Sequence, residues 1–430
     1  MTLIQECLIE NKDLPPLQNR ISEYLPIKYN LDQYPVPGPD ELDQRERLNK
    51  GFPGSEYILK YSPLEGKLVI VPPHHNLAKS VHTPSGDYAQ LIFEGLSAEP
   101  IIEDGSIEAA NLVLWEPRIG RLKRSIKGMN LNPEFNIDDF VQGIKDLISI
   151  LGPDITNNGT RAYVRPHIYR AGGMAGVTPA TDAIIDGGVW AWNWPDYIKK
   201  GASESGIKVV ALTDAKRTSP VRAKEAAGYN RGGEFKRRKE EFDADEVIFF
   251  APFKFDRNFP EVYESNTDED LSDSVFSDGS GEELMLVRKD GLVLYLPMSV
   301  NRLGGTTLSS VIAYLTTEKN GYYAQESFFG PEEVFNECYS LLMLGNAAKI
   351  LPVNELVVAN SSNRVLQSGT LPINDKARWL IERFENELTG KVSASDPQLL
   401  TPVEFSPEAR EILDGVYKYW IQILLFNDNK

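Results

Sequence analysis

The chain has 430 residues, 41% of them hydrophobic and 25% charged, which fits a soluble globular protein large enough for two domains. Its formal charge of -17 opposes a phosphate backbone, and its two cysteines, Cys7 and Cys338, exclude a disulfide framework or a cysteine-based zinc site. The one basic run, Lys236-Arg-Arg-Lys239, is followed at once by Glu240 and Glu241 and reads as a solvated helix face, so no nucleic-acid partner is expected. No charged start with an apolar segment resembles a secretory signal, and the apolar run 420–426 is too short to span a bilayer. The expected location is the cytoplasm, with no membrane partner.

Residues 1–55 are rich in proline and charge and read as an arm. Residues 57–73 predict a hairpin turning at Glu65-Gly66, and 88–94 and 112–115 predict further strands. A helix is expected over 136–151: Asn136 caps it, Phe140, Val141, Ile144, Leu147, Ile148 and Leu151 share one face, and Gly152-Pro153 ends it. Residues 162–169 read as a strand. The glycine-rich stretch 171–184 suits an interdomain loop. Strands follow at 189–194, 207–212 and 246–253, with a charged helix at 234–242 between the last two. The acidic stretch 265–274 reads as a surface insertion without the spacing of a calcium loop. Asp290-Gly291 marks a hairpin over 284–296. Helices are expected at 304–315, 331–340 and 375–388. A last helix begins after Ser406-Pro407 with Ile412, Val416, Trp420 and Leu424 in register, and 341–344 is a buried strand. The expected domains are therefore an arm (1–55), a small α/β domain (56–170), a loop (171–184), a large domain (185–395) and a helical extension (396–430).

Two stretches suggest chemistry. In Thr218-Ser-Pro-Val-Arg-Ala-Lys224-Glu-Ala-Ala-Gly228-Tyr229 a lysine lies among small residues, with a tyrosine five positions on. Desolvation there would make it a usable amine, although a lone lysine is more often a solvated helix residue. Gly304-Gly-Thr-Thr307 leads into a helix and would leave backbone N–H groups for an anion, or serve as a plain threonine cap. His74 and His75 are adjacent and would point apart on a strand, so no metal site is expected.

Seven blocks in order resemble the class IV (fold-type IV) pyridoxal-phosphate aminotransferases, the family of branched-chain amino acid aminotransferase. Tyr88-Ala-Gln-Leu-Ile-Phe-Glu-Gly-Leu96 is similar to its hYgxxxFEGl, Arg121-Leu-Lys-Arg-Ser125 to RLxxS, and Ala162-Tyr-Val-Arg-Pro166 to yiRP. Lys224 to Tyr229 is similar to KxxgNY, and Ser277-Asp-Gly-Ser-Gly-Glu-Glu-Leu284 to sEgxgeNlF. Leu303-Gly-Gly-Thr-Thr307 and Leu344-Gly-Asn-Ala-Ala-Lys-Ile-Leu-Pro-Val353 are similar to LpGxT and tGTAaeitPv. The resemblance implies a mixed α/β fold: a small α/β domain, a larger domain with a barrel-like sheet, the cofactor between them, and a homodimer. It implies pyridoxal 5'-phosphate as cofactor and Lys224 as both its Schiff-base partner and the base at the substrate Cα. By the same resemblance Tyr229 bonds the cofactor's phenolate oxygen and Asp278 its pyridine nitrogen. Arg121, Thr306, Thr307 and Asn346 hold its phosphate. Tyr88, Phe93, Tyr163, Arg165 and Ala347 line the substrate pocket.

The sequence also departs from that pattern. Asp278 stands for glutamate, Glu283 for asparagine, Asn346 for threonine, Gly304 for proline, Leu308 for arginine and Gly228 for asparagine. These changes point to a specialised member. The expected function is transfer of an amino group between a hydrophobic or specialised amino acid and a 2-oxo acid such as 2-oxoglutarate. A lyase of the same fold and a diverged, non-catalytic relative are the alternatives.

Overall fold

The computed structural model describes residues 16–25, 57–62, 65–71, 85, 89–171, 183–194, 198–216, 223–229, 231–256, 258, 261–263, 270–337 and 339–427. Most of the expected arm, Tyr88, the histidine pair and 265–269 of the acidic stretch lie outside them. The chain divides into two units, Met1–Pro195 with Leu400–Lys430, and Asp196–Leu399.

The first unit is an eight-stranded sheet with helices. Its strands are β1 (Ile58–Ser62), β2 (Lys67–Val71), β3 (Leu91–Phe93), β4 (Leu96–Glu103), β5 (Ser106–Val113), β6 (Ala162–Arg170), β7 (Ile185–Asn193) and a C-terminal strand, Leu400–Glu404. β1 and β2 form the expected hairpin, with Gly66 at φ +63° in its turn. Strand β7, expected in the large domain, pairs with β6 along its whole length and with β1. The C-terminal strand pairs with β5. The units divide at 195/196 and 399/400, and residues 172–182 of the expected interdomain loop lie outside the described residues.

Three helices of this unit are α1 (Leu17–Arg20), α2 (Trp115–Gly128) and α3 (Ile137–Ile155). Trp115 was expected at a strand end; Leu114 instead takes φ +50° and turns the chain directly into α2. The Asn136 side chain accepts from the N–H of Asp138 at 2.8 Å, so the expected cap is present. The helix runs past Pro153 to Ile155. Pro153 has no N–H to give Ser149, but the Ser149 carbonyl accepts from the N–H of Ser406 at 3.0 Å, so nothing is left unpaired. Gly152 makes room for the Phe405 ring, which a Cβ would meet at 2.1 Å. Phe140, Ile144, Leu147, Ile148 and Leu151 pack with Val164, Ile168, Val189 and Ala191 of the sheet. The C-terminal helix, Pro407–Asn427, buries Ala409, Leu413 and Tyr417, while Ile412 is exposed. Among its described side chains the buried stripe is thus shifted one position from the expected one.

The second unit is a ten-stranded mixed sheet with its own core. Its strands are β8 (Ile207–Leu212), β9 (Glu246–Asp256), β10 (Glu261–Tyr263), β11 (Ser274–Gly279), β12 (Glu283–Val287), β13 (Leu292–Tyr295), β14 (Tyr323–Glu326), β15 (Ser340–Gly345), β16 (Lys349–Ala359) and β17 (Val365–Thr370). The central path runs β9-β8-β16-β15-β12, with β8 parallel to both β9 and β16. Helices are α4 (Ala202–Ser205), α5 (Gly232–Glu241), α6 (Thr306–Ser310), α7 (Pro331–Asn336) and α8 (Asp375–Leu388). Asp290-Gly291 turns the β12–β13 hairpin as expected. Asn374 caps α8, and its side-chain amide also donates to the Val287 carbonyl at 2.7 Å, fixing the helix to the sheet. Among the described residues no helix is long and apolar enough to cross a membrane.

Candidate functional site

In the second unit the expected cofactor residues come from the ends of three strands and the lead-in to α6. β8 ends at Leu212, and Asp214 two residues on accepts both its carboxylate contacts from Arg238 Nη1 at 2.8 Å. Arg238 was expected on a solvated face with Lys236, Arg237 and Lys239. It is buried instead, and its Nη2 also donates to the Asn360 carbonyl at 2.7 Å. α5 is therefore tied to the end of β8 through Asp214. The neighbouring pairs Lys236–Glu240 and Arg237–Glu241 lie on the helix's outer side.

Lys224 is half-buried, and its Nζ donates to the Tyr229 hydroxyl at 2.7 Å. A 3-10 turn over Ala226–Tyr229 folds the ring back, so that Nζ also stands 4.7 Å from the ring centroid. A five-residue spacing thus becomes a direct amine–phenol contact.

Asp278 is fully buried at the end of β11, where a carboxylate Oδ2 accepts from the N–H of Leu303 at 3.3 Å. Ser277 holds the same segment by donating to the Val300 carbonyl at 2.8 Å. Leu303 leads through Gly304 and Gly305 into α6, so Asp278 and Thr306 are joined by a short run of chain. Thr306 and Thr307 are buried, and no side chain caps α6; its N-cap is Gly305. The plain threonine cap is therefore absent. Asn346 and Ala347 lie in the turn between β15 and β16, both half-buried.

Glu283, one of the departures, has a different place. It is buried in an ion pair with Arg302, whose Nε donates to the Leu296 carbonyl at 2.7 Å. A Cβ on Gly305 would stand 1.6 Å from Glu283 Oε2. The glycine before Thr306 is thus required by the glutamate beneath it, and Glu283 supports the lead-in to α6 from below.

The preceding residue, Glu282, is also buried, as is Glu246 at the start of β9. The Gly281 N–H donates to Glu282 Oε2 at 3.1 Å, and Ser280 donates to Glu246 Oε1 at 2.8 Å. Burial first, and then the charge of Glu246, pushes the Glu282 carboxyl up to about 8; Glu246 is raised as well, chiefly by burial. A carboxyl raised from its unfolded value favours folding while protonated. That contribution is complete below the unfolded value and fades as pH rises through about 8. Glu282→Gln should therefore gain thermal stability relative to the parent as pH is raised from about 6 to about 9. Parallel melting-temperature curves for the two proteins over that range would count against the assignment.

In the first unit the resemblance residues lie on the face of β6 turned from its core. Val164 and Ile168 point into the core, while Tyr163 and Arg165 alternate to the other side. The Arg165 guanidinium stands 4.7 Å from the Phe93 ring centroid and 5.0 Å from that of Tyr163, and its Nη2 donates to the Tyr163 hydroxyl at 3.0 Å. Stacking between two rings fixes its plane. Trp192 and Trp194, absent from the sequence-derived set, extend this face, with centroids 5.0 and 4.9 Å from Tyr163. The signal for them is the alternation in Trp190-Ala-Trp-Asn-Trp194 beside the Tyr163 strand.

Arg121 is buried on α2, not a surface helix arginine. Its Nε and Nη2 donate to Glu94 Oε2 and Oε1 at 2.8 and 2.6 Å. Glu94 is fully buried and carries the centre of the Phe93-Glu-Gly95 turn. One helical turn before Arg121, Arg118 Nη1 donates to the Gly95 carbonyl at 2.8 Å. Among the described residues no group of histidine, cysteine or carboxylate side chains could hold a metal ion.

The fold is that of fold type IV, and solved branched-chain aminotransferases share it. The Escherichia coli branched-chain amino acid aminotransferase superposes with a TM-score of 0.58 at 20% identity, covering 80% of this chain and 98% of that one. The Thermobaculum terrenum enzyme in its PLP form gives 0.59 at 16%, covering 82% and 99%. The Thermoproteus uzoniensis enzyme with norvaline gives 0.58 at 21%, covering 81% and 100%. In sequence, the chain is 27% identical over 294 residues to the branched-chain-amino-acid aminotransferase of Escherichia coli K12, covering 66% of this chain and 79% of that protein. No protein-family model matches. The likeness read from the seven sequence blocks is thus borne out in fold and in sequence.

Proposed function

We propose that the protein is a pyridoxal-phosphate-dependent aminotransferase that moves an amino group between a hydrophobic or specialised amino acid and a 2-oxo acid. The observation that carries this reading is the Lys224 Nζ contact with the Tyr229 hydroxyl at 2.7 Å, in the unit that also buries Asp278. An amine, a phenol, a buried carboxylate and buried hydroxyls at Thr306 and Thr307 are the donor set that an aldehyde-bearing pyridine phosphate requires. When bound, that cofactor supplies an electron sink for the bonding pair at the substrate Cα.

The chain's own residues would do the rest. Lys224 Nζ would hold the cofactor covalently and then carry the proton away from the substrate Cα. The Tyr229 hydroxyl would keep Nζ oriented and bond the cofactor's ring oxygen. Asp278, buried and fixed by the Leu303 N–H, would hold a positive charge at the pyridine nitrogen. Arg121, Thr306, Thr307 and Asn346 would bind the phosphate. Phe93, Tyr163 and Arg165, with Tyr88 and Ala347, would receive the substrate. A homodimer in the cytoplasm is the assembly proposed with this reading.

The test is a pair of half-reactions. With pyridoxal phosphate bound, single amino acids are added and the absorbance band is followed, then a 2-oxo acid is added. An aminotransferase loses the band with the amino acid and regains it with the oxo acid. Release of pyruvate or another elimination product without an acceptor would replace this reading with the lyase. A band indifferent to every amino acid would leave a diverged, non-catalytic relative.

A further inference from the structure

On the face of β6 turned from the core, a chain of ring contacts leads to one cation. The Arg165 guanidinium is half-buried between the rings of Phe93 and Tyr163, and its Nη2 donates to the Tyr163 hydroxyl at 3.0 Å. Among the described residues Arg165 enters no ion pair, and its Nε is buried without a hydrogen-bond partner. Two ring faces and a neutral phenol fix its plane and leave its charge uncompensated, and a desolvated cation is costly until an anion meets it. Tyr163, which holds Arg165, is itself clamped. Trp192 stands directly opposite it in the β6–β7 register, with ring centroids 5.0 Å apart. Trp194 meets the same ring edge-on, at 4.9 Å and 77°. The two indoles are 5.7 Å from each other, so the three rings form one closed cluster. Trp194 is anchored through its backbone: its N–H donates to the Arg161 carbonyl at 3.0 Å, and its carbonyl accepts from Arg161 Nε at 3.1 Å. A ring packed on two sides keeps one rotamer, and the position of the Tyr163 hydroxyl then sets where the Arg165 fork points.

We propose that Trp192 and Trp194 are positioning residues: acting through Tyr163, they hold the Arg165 guanidinium in place to receive a carboxylate of the substrate. The core beneath the sheet takes Val189 and Ala191 from β7, while Trp192 alternates with them to the face that carries Arg165. A guanidinium fork of fixed plane matches the two oxygens of a carboxylate. The proposal rests on the reading of Arg165 as a substrate contact.

The test is calorimetry on the full-length protein with pyridoxal phosphate present, using two non-reacting probes of one shape, 4-methylpentanoate and its neutral amide. Arg165→Met should weaken binding of the acid about tenfold or more and leave that of the amide within about twofold. Trp194→Leu and Trp192→Leu should each weaken the acid about three- to tenfold and again spare the amide. Trp194→Phe, which keeps a ring edge against Tyr163, should recover most of the loss. In the Arg165→Met background neither tryptophan change should weaken the acid further, because both act through the lost guanidinium. If Trp192→Leu does not fold, Trp194→Leu carries the comparison alone. Losses that are equal for acid and amide, or that add to the loss in Arg165→Met, would reduce the indoles to packing and overturn the proposal. No loss in the tryptophan variants, or a parent that binds neither probe, would overturn it too. A parent that binds the acid but forms no lysine-bound cofactor would fail the Lys224 reading separately, and the same titrations would still decide the role of the indoles.

Discussion

Lys224→Ala is expected to abolish the absorbance of lysine-bound pyridoxal phosphate and to lower the rate of amino transfer by at least about a thousandfold. The size follows from the two roles given to one nitrogen. Proton transfer by a positioned base alone contributes roughly 10²- to 10⁴-fold, and covalent attachment adds to it. The Tyr229 hydroxyl lies 2.7 Å from the same nitrogen, so Tyr229→Phe provides a graded control. It should keep the attachment and shift its pH dependence, because the phenol is one of the groups that set the charge state there. Rates for Lys224→Ala within about tenfold of the parent would remove Lys224 from the chemistry.

The largest expected effect on stability lies at Arg302. Arg302→Met would remove the guanidinium paired with buried Glu283, beneath the Gly305 lead-in to α6. Breaking a buried pair by removing one partner costs about 3–5 kcal/mol, because the remaining charge stays desolvated. In a unit of this size that corresponds to a melting-temperature loss of roughly ten degrees. The double variant Arg302→Met with Glu283→Gln should recover much of the loss, since no charge is then stranded. The measurement is thermal unfolding of the three proteins at one pH. A single variant that melts within about two degrees of the parent would show that Glu283 finds another partner or water. The double-variant result also bears on function. If Glu283 is structural, the double variant should still bind pyridoxal phosphate.

Much of the fold is legible wherever a local rule acts alone. Asn136 and the apolar spacing behind it give α3, Asp375 to Leu388 gives α8 to the residue, and Asp290-Gly291 gives the β12–β13 turn. The same kind of signal at Asp104-Gly105 turns β4 into β5, a hairpin outside the sequence-derived elements. α2 carries its period in Trp115, Ile119, Leu122 and Ile126, but it buries Arg118 and Arg121 as well, so its polar residues do not mark an outer face. Pro153 does not end α3 because a residue 253 positions on, Ser406, takes the carbonyl that the proline cannot serve. Pairing of the C-terminal strand with β5 is equally non-local and moves the expected extension into the first unit.

The site divides in the same way. Lys224 and Tyr229 can be read from their spacing, since a single turn joins them. Partners supplied by other elements cannot. Glu94 stands inside a quoted motif, yet nothing in the sequence says that it grips Arg121. Glu283 looks like a disturbance of a cofactor site until Arg302, nineteen positions on, is seen to neutralise it. Arg238 sits in a basic run that suggests solvent, whereas its contact with Asp214 buries it against the end of β8. In each case the sequence shows a charge but not the long-range contact that gives the charge its role.

The central claim is covalent chemistry at Lys224. The most direct measurement is to incubate the purified protein with pyridoxal 5'-phosphate, reduce it with borohydride and locate the adduct by peptide mass spectrometry. The account predicts a single pyridoxyl-phosphate modification on the peptide bearing Lys224, lost in Lys224→Ala and prevented by prior addition of an amino-acid substrate. An unmodified Lys224, or label spread over surface lysines to the same extent in the parent and in Lys224→Ala, would contradict it.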